Sequence, residues 1–177
     1  MLSVHFSHES GILKKTGILL VWVFLFEISY AANPLKYVNP FICTEGDNGQ
    51  LYPGATYPFG LIQLSPETEG DSHVGYYYED QFIEGFSHLR IGGAGSRGKG
   101  GGLLIKPGIG KFTPKISGFR EKYIKSSEEA SPGYYKVVLE SGVKAELTVS
   151  EHIGFHRYTY PAESKKDRYV VIELSHS

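Results

Sequence analysis

Residues 38–66 read VNPFICTEGDNGQLYPGATYPFGLIQLSP, and the reading of the chain starts from this stretch. Two short apolar runs, Asn39-Pro40-Phe41-Ile42 and Pro58-Phe59-Gly60-Leu61-Ile62, flank a segment dense in Gly, Asp, Asn and Pro. Glycine supplies positive φ and proline fixes φ near its turn value, so this density predicts an ordered excursion between two strands. A loop anchored at both ends in this way is a place where a site can be built.

Beyond the loop, the pattern is that of strands. Phe59–Ser65 is a strand expected to end at Pro66, and Val74–Glu79 and Phe82–Ile91 alternate aromatic with polar residues around a turn at Glu79-Asp80. Leu103–Lys106 is a short apolar strand closed by Pro107-Gly108. Tyr134–Glu140, Ser141-Gly142 and Val143–Glu151 read as a hairpin, with Ala145, Leu147 and Val149 alternating with Lys144, Glu146 and Thr148. Phe155–Tyr160 and Arg168–Ser175 continue the series, and only Ser117–Glu129 has helix-like spacing. Repeated strands without intervening helices predict an all-β fold, an antiparallel β-sandwich. The last strand is followed at once by the end of the sequence, which reads as a truncated product or fragment.

Of the 177 residues 41% are hydrophobic and 14% aromatic, with a formal net charge of −1, which fits a globular domain and excludes a basic nucleic-acid binder. Tyr (13) and Phe (10) far outnumber Trp and Met, a bias towards strands. The N-terminus differs: Lys14-Lys15 precede an apolar run, Ile18–Phe26, followed by Ser29-Tyr30-Ala31. That is the plan of a signal peptide over residues 1–31, cleaved after Ala31, and the run is shorter than the roughly 20 apolar residues of a membrane span. An uncleaved anchor is the alternative. Export to the periplasm or the medium is expected, with 32–177 as the mature domain. Cys43 is the single cysteine, so no internal disulfide is available, and a buried, inert thiol is expected.

Several motifs have bland readings. The run Gly92–Gly102, GGAGSRGKGGG, fits both G-x-G-x-x-G and G-x-x-x-x-G-K. Phosphate binding needs such a loop to open a helix, and here it leads into the strand Leu103–Lys106, with Gly100 where Ser or Thr should follow Lys99. No nucleotide is expected. His152 and His156 have helical ligand spacing on a segment that reads as strand, so no metal site is assigned. Glycoside hydrolysis by inversion needs two carboxylates roughly 6.5–9.5 Å apart, and no pair is singled out by sequence.

Six words, NPFI (39–42), PGATYPFG (53–60), GFSH (85–88), ASPGYY (130–135), KAELT (144–148) and GFHRYT (154–159), occur in an order that resembles the N-terminal domain of glycoside hydrolase family 92, the calcium-dependent exo-α-mannosidases. The family version of the opening stretch is commonly NPFIGTGG…FPGA..PFGM.QLSP. The resemblance covers Lys36 to Ser177. It implies a galactose-mutarotase-like N-terminal β-sandwich, incomplete at its C-terminal end. The activity implied for the full enzyme is removal of terminal α-mannose from N-glycans or mannans with inversion. The general acid, the general base and most calcium ligands lie, by that resemblance, in a C-terminal helical domain outside this chain. No catalytic residue is therefore assigned.

The implied role of the sandwich is to support that domain and to line one wall of the cleft with the Thr44–Gly49 and Ser87–Gly95 loops. Candidate substrate-binding residues are Thr44, Glu45, Asp47, Asp71, His73, Ser87, His88 and Arg90. The partners implied are an α-mannoside glycan and the helical domain, with no nucleic acid. Cys43, Glu45 and Asp47 replace residues that are commonly Gly and His, Arg90 stands at a position commonly acidic or polar, and the Trp common before Tyr76-Tyr77-Tyr78 is missing. Arg97 and Lys99 suit an anionic substituent such as a mannosyl phosphate, against the simpler reading of a solvated basic loop. A free-standing carbohydrate-binding module and a non-functional remnant remain as alternatives.

Overall fold

Among the residues described by the computed structural model, which are 33–46, 49–69, 72–90, 102–112 and 120–174, two antiparallel sheets face each other. The first contains β1 (Ala55–Thr56), β2 (Gln63–Thr68), β3 (Phe82–Ser87), β4 (Leu104–Ile109), β5 (Glu121–Lys122) and β10 (Arg168–Glu173). Its order is β1-β2-β3-β4-β10, with β5 paired to β3. The second runs β6 (Glu129–Ser131), β7 (Tyr134–Val138), β8 (Lys144–Val149) and β9 (Gly154–Thr159) in sequence order. This is the β-sandwich that the strand pattern predicts.

The core lies between the sheets. Ala55, Leu64, Ile83 and Phe86 from the first sheet meet Tyr135, Val137, Ala145 and Leu147 from the second, with Leu139 and Val143 closing the end. In β8, Ala145 and Leu147 are fully buried, as period-two alternation requires. Register follows: Val137 faces Ala145 and Tyr135 faces Leu147 across the β7–β8 hairpin. Gly142 at φ +85° makes the turn.

Five local expectations change. β2 starts at Gln63 and runs through Pro66 to Thr68, and β4 runs through Pro107 to Ile109. Both prolines sit where, among the described residues, one side of the strand has no ladder partner: β1 pairs only with Gln63 and Leu64, and β3 reaches β4 only at Leu104 and Ile105. A missing N–H costs no ladder bond there. Val74–Glu79 is irregular, with turns at residues 73–74 and 78–79 rather than a strand. The described part of Ser117–Glu129 holds β5 and one turn of 3-10 helix, Lys125–Ser127. Asn39–Ile42, the first flank of the opening loop, is a turn in which Asn39 Oδ1 accepts from the Phe41 N–H at 3.0 Å.

Cys43 is exposed, against the expectation of a buried thiol, and its backbone sits at φ +60°. That left-handed conformation suits glycine and costs an L-residue roughly 1–2 kcal/mol. Glycine is the residue commonly found at this position in the family that the opening stretch resembles.

Candidate functional site

The PGA word brings the chain into the sheet at close range. A Cβ on Gly54 would lie 2.4 Å from the Leu64 carbonyl oxygen, so only glycine lets this backbone pass beside β2. From there β2 and the end of β3 build a buried polar centre. Glu67 and Arg90 form an ion pair at 3.0 Å with both side chains fully shielded from solvent. Ser87 donates its hydroxyl to Glu67 Oε1 at 2.6 Å and accepts from Arg90 Nη2 at 3.1 Å. The guanidinium also donates to the carbonyls of Ser65 (3.2 Å), Pro66 (2.5 Å) and Val74. The Tyr52 ring lies 5.2 Å from its centre. Burial lowers the proton affinity of Arg90, and Glu67 and Tyr52 oppose that shift.

The irregular segment 73–79 exists because of this centre. Gly75, at φ +78°, packs so close that a Cβ would fall 2.0 Å from Glu67 Oε2 and 2.6 Å from Arg90 Nη1. Its carbonyl accepts from Thr68 N–H at 2.7 Å, which ties the segment to β2.

A second polar cluster lies at Lys125. Its ammonium sits 3.6 Å from the centre of the Tyr78 ring and 2.7 Å from Glu128 Oε2. Glu128 Oε1 accepts from Tyr76 at 2.8 Å and from Tyr135 at 2.6 Å. Burial, chiefly, and the Glu128 charge raise the proton affinity of both phenols. A cavity of about 460 Å³ opens beside it, lined by Glu45, Tyr78, Glu79, Asp80, Tyr123 and Lys125 among others. Aromatic faces beside carboxylates and ammonium groups suit a polyhydroxylated ligand, which needs both donors and acceptors.

His88 follows β3 and reaches the second sheet. Its ring stacks on His156 of β9 with centroids 4.8 Å apart and the two Nε2 atoms at 3.3 Å. His156 Nδ1 lies 2.8 Å from the Tyr158 hydroxyl. Burial, then the neighbouring His88, lowers the pKa of His156 to about 4, and burial also lowers that of His88. The partner of His156 is thus a residue 68 positions away, not His152. No spacing rule reads such a pair from sequence.

Of the eight residues proposed from sequence, Ser87 and Arg90 meet at the buried centre, with His88 between them in the chain. Thr44 is fully buried, donating to the Phe41 carbonyl at 2.8 Å and accepting on its own carbonyl from Tyr78 N–H at 2.8 Å. Its neighbour Glu45 is exposed on the cavity wall. His73 is half-buried, with Nδ1 lacking a hydrogen-bond partner among the described residues. Asp47 and Asp71, like most of the Gly92–Gly102 loop, lie outside the described residues. Glu67, which no motif singles out, anchors the centre. It lies past Pro66, where the sequence pattern ends the strand, so no local signal marks it.

Among the described residues no three of His, Cys, Asp and Glu stand together as ligands. Glu67 and Glu128 are already engaged by cations, so these residues do not fit a calcium ion, which takes 6–8 oxygen ligands.

Residues 37–177 match the Glycosyl hydrolase family 92 N-terminal domain. An uncharacterized secreted glycosidase of Arthroderma benhamiae is 29% identical over 141 residues, 75% of this chain and 18% of that protein. The family GH92 alpha-mannosidase BT3965 from Bacteroides thetaiotaomicron superposes with a TM-score of 0.72 at 38% identity, over 80% of this chain and 20% of its own. It has also been solved in complex with mannoimidazole. The GH92 family glycosyl hydrolase ccman5 gives a TM-score of 0.73 at 31% identity, with the same coverage of 80% and 20%. The chain spans about a fifth of the length of these relatives.

Proposed function

The chain belongs to glycosyl hydrolase family 92, as its N-terminal domain, and on that premise we propose that it is the supporting, substrate-facing domain of an exo-acting α-mannosidase. The observation that carries this reading is the likeness to an alpha-mannosidase at 38% identity over 80% of the chain. The whole enzyme removes terminal α-mannose from N-glycans or mannans. The chemistry, and the calcium, belong to a helical domain beyond this chain, and the sandwich alone does not hydrolyse.

Two features of the surface support the division. Tyr57, Phe59, Leu61 and Ile153 are exposed, and Leu61 N–H donates to the Glu151 carbonyl at 2.9 Å, which gathers them at one corner. An apolar corner of this kind suits the helical domain as its cover. Glu45, His73 and His88 keep exposure and serve as the substrate-facing groups, together with Asp47 and Asp71. Thr44, Ser87 and Arg90 act from within, by fixing the loops that carry those groups.

Residues 1–31 act as an export signal, in keeping with the secreted relative from Arthroderma benhamiae, and 32–177 as the mature domain. The DNA downstream of codon 177 tests the proposal. A continuation that encodes a helical domain rich in paired carboxylates is expected. A gene in which no such continuation follows, in any frame, would overturn the assignment to a working mannosidase.

A further inference from the structure

The His88–His156 pair joins the two sheets, one ring just after β3 and the other on β9. It lies outside the Glu67–Arg90 centre, and His156, unlike His88, has no part in the mannosidase reading. The Nε2 atoms are 3.3 Å apart, a separation that a long N–H···N hydrogen bond or a shared ion can both span. Two nitrogens on one tetrahedral ion, each about 2.0–2.1 Å from the metal, stand about 3.3–3.4 Å apart. The observed gap is that bite.

We infer that His88 and His156 form a two-histidine site for a borderline d-block dication such as zinc or nickel, which would cross-link the two sheets through their Nε2 atoms. Imidazole suits these ions and not calcium or magnesium, which take oxygen. Metal on Nε2 of His156 requires the ring proton on Nδ1, and the Tyr158 oxygen at 2.8 Å is placed to accept it. Such a hydrogen bond fixes tautomer and orientation at histidine–metal sites. His88 has no comparable support: its Nδ1 is buried without a hydrogen-bond partner among the described residues. Gly154 leaves room for the pair, since a Cβ there would lie 3.0 Å from His88 Cδ2 and 3.2 Å from Nε2. Both rings are half-buried rather than sealed, so water completes the coordination. With only two protein ligands, the affinity is far below that of a four-ligand structural zinc site.

Zinc chloride or nickel chloride titrated into the full chain is the test, followed by calorimetry, thermal unfolding and ring-nitrogen NMR. One equivalent should bind, perturb the Nε2 signals of His88 and His156, and raise the melting temperature, because the ion binds only the native pair. His88→Asn or His156→Asn should weaken this binding at least tenfold, while His152→Asn leaves it unchanged; calcium chloride should not substitute. The NMR readout on the unsubstituted chain needs no variant to fold. Zinc that perturbs other histidines and leaves these two unmoved, or no saturable binding at all, would overturn the inference.

Discussion

Two glutamate–arginine pairs brace this sandwich, and they differ chiefly in how far the arginine is shielded from water. Glu67–Arg90 is sealed from water, with each partner also bonded to Ser87 or to backbone carbonyls. Glu146–Arg157 lies on the outer side of the second sheet, where Arg157 Nε and Nη2 reach the carboxylate at 2.9 and 2.7 Å while the arginine side chain stays 72% exposed. Lys144 at 3.0 Å and the Tyr134 hydroxyl at 3.0 Å complete that surface cluster. In water such a pair competes with solvent and salt. In the interior, water is excluded and the pair is held by the same fixed hydrogen bonds on both sides. Breaking a buried pair leaves an uncompensated charge, which makes the two pairs unequal as supports.

The sharpest way to expose the difference is Arg90→Met. It strands Glu67 and should cost about 3–5 kcal/mol in urea-induced unfolding. The double variant Glu67→Leu/Arg90→Met should recover much of that loss, because no charge is then left unpaired. Next in size is Gly75→Ala, which leaves both charges in place but drives a methyl group into the Glu67 carboxylate at a left-handed backbone position. A loss of about 2–3 kcal/mol is expected by the same measurement.

At the surface, Glu146→Gln should cost several-fold less than Arg90→Met, and the loss should shrink further in 1 M salt. The pH dependence has a definite sign. Hydrogen bonds from Arg157, first, and from Lys144 and Tyr134 hold the Glu146 carboxyl at about 2, below its ordinary 4.5. Its stabilisation is therefore present above about pH 4.5 and lost as the pH falls towards 2. Thermal melts of wild type and Glu146→Gln should converge across that window, whereas the Arg90→Met deficit should persist above it. Smallest of all, Cys43→Gly should raise stability by about 0.5–1 kcal/mol, since it relieves a positive φ outside both clusters.

What was legible in the sequence follows the same division between surface and interior. The β7–β8 hairpin could be read directly, because Ala145 and Leu147 face the core and a Gly-containing turn lies between the strands. β10 was equally plain. Strands β2 and β4 were ended too early because proline usually ends a strand, and only the sheet order shows that Pro66 and Pro107 lack a ladder partner on one side among the described residues. Val74–Glu79 looked like a strand by its tyrosines. In the fold Gly75 and Val74 instead serve Arg90 and Glu67, a demand made by residues 8 to 16 positions away. Of the candidate site, Glu45 could be read as a polar residue on a loop. The burial of Thr44, Ser87 and Arg90 and the joining of His88 to His156 depend on long-range pairing that no local pattern encodes.

The central claim is that this domain supports a mannosidase without being one. It is tested most directly by incubating the purified 177-residue chain with an α-mannoside and measuring free mannose. A folded chain that releases none, at any calcium concentration, is the result predicted. Mannose released above the buffer control, and abolished when the chain is heat-unfolded, would contradict it.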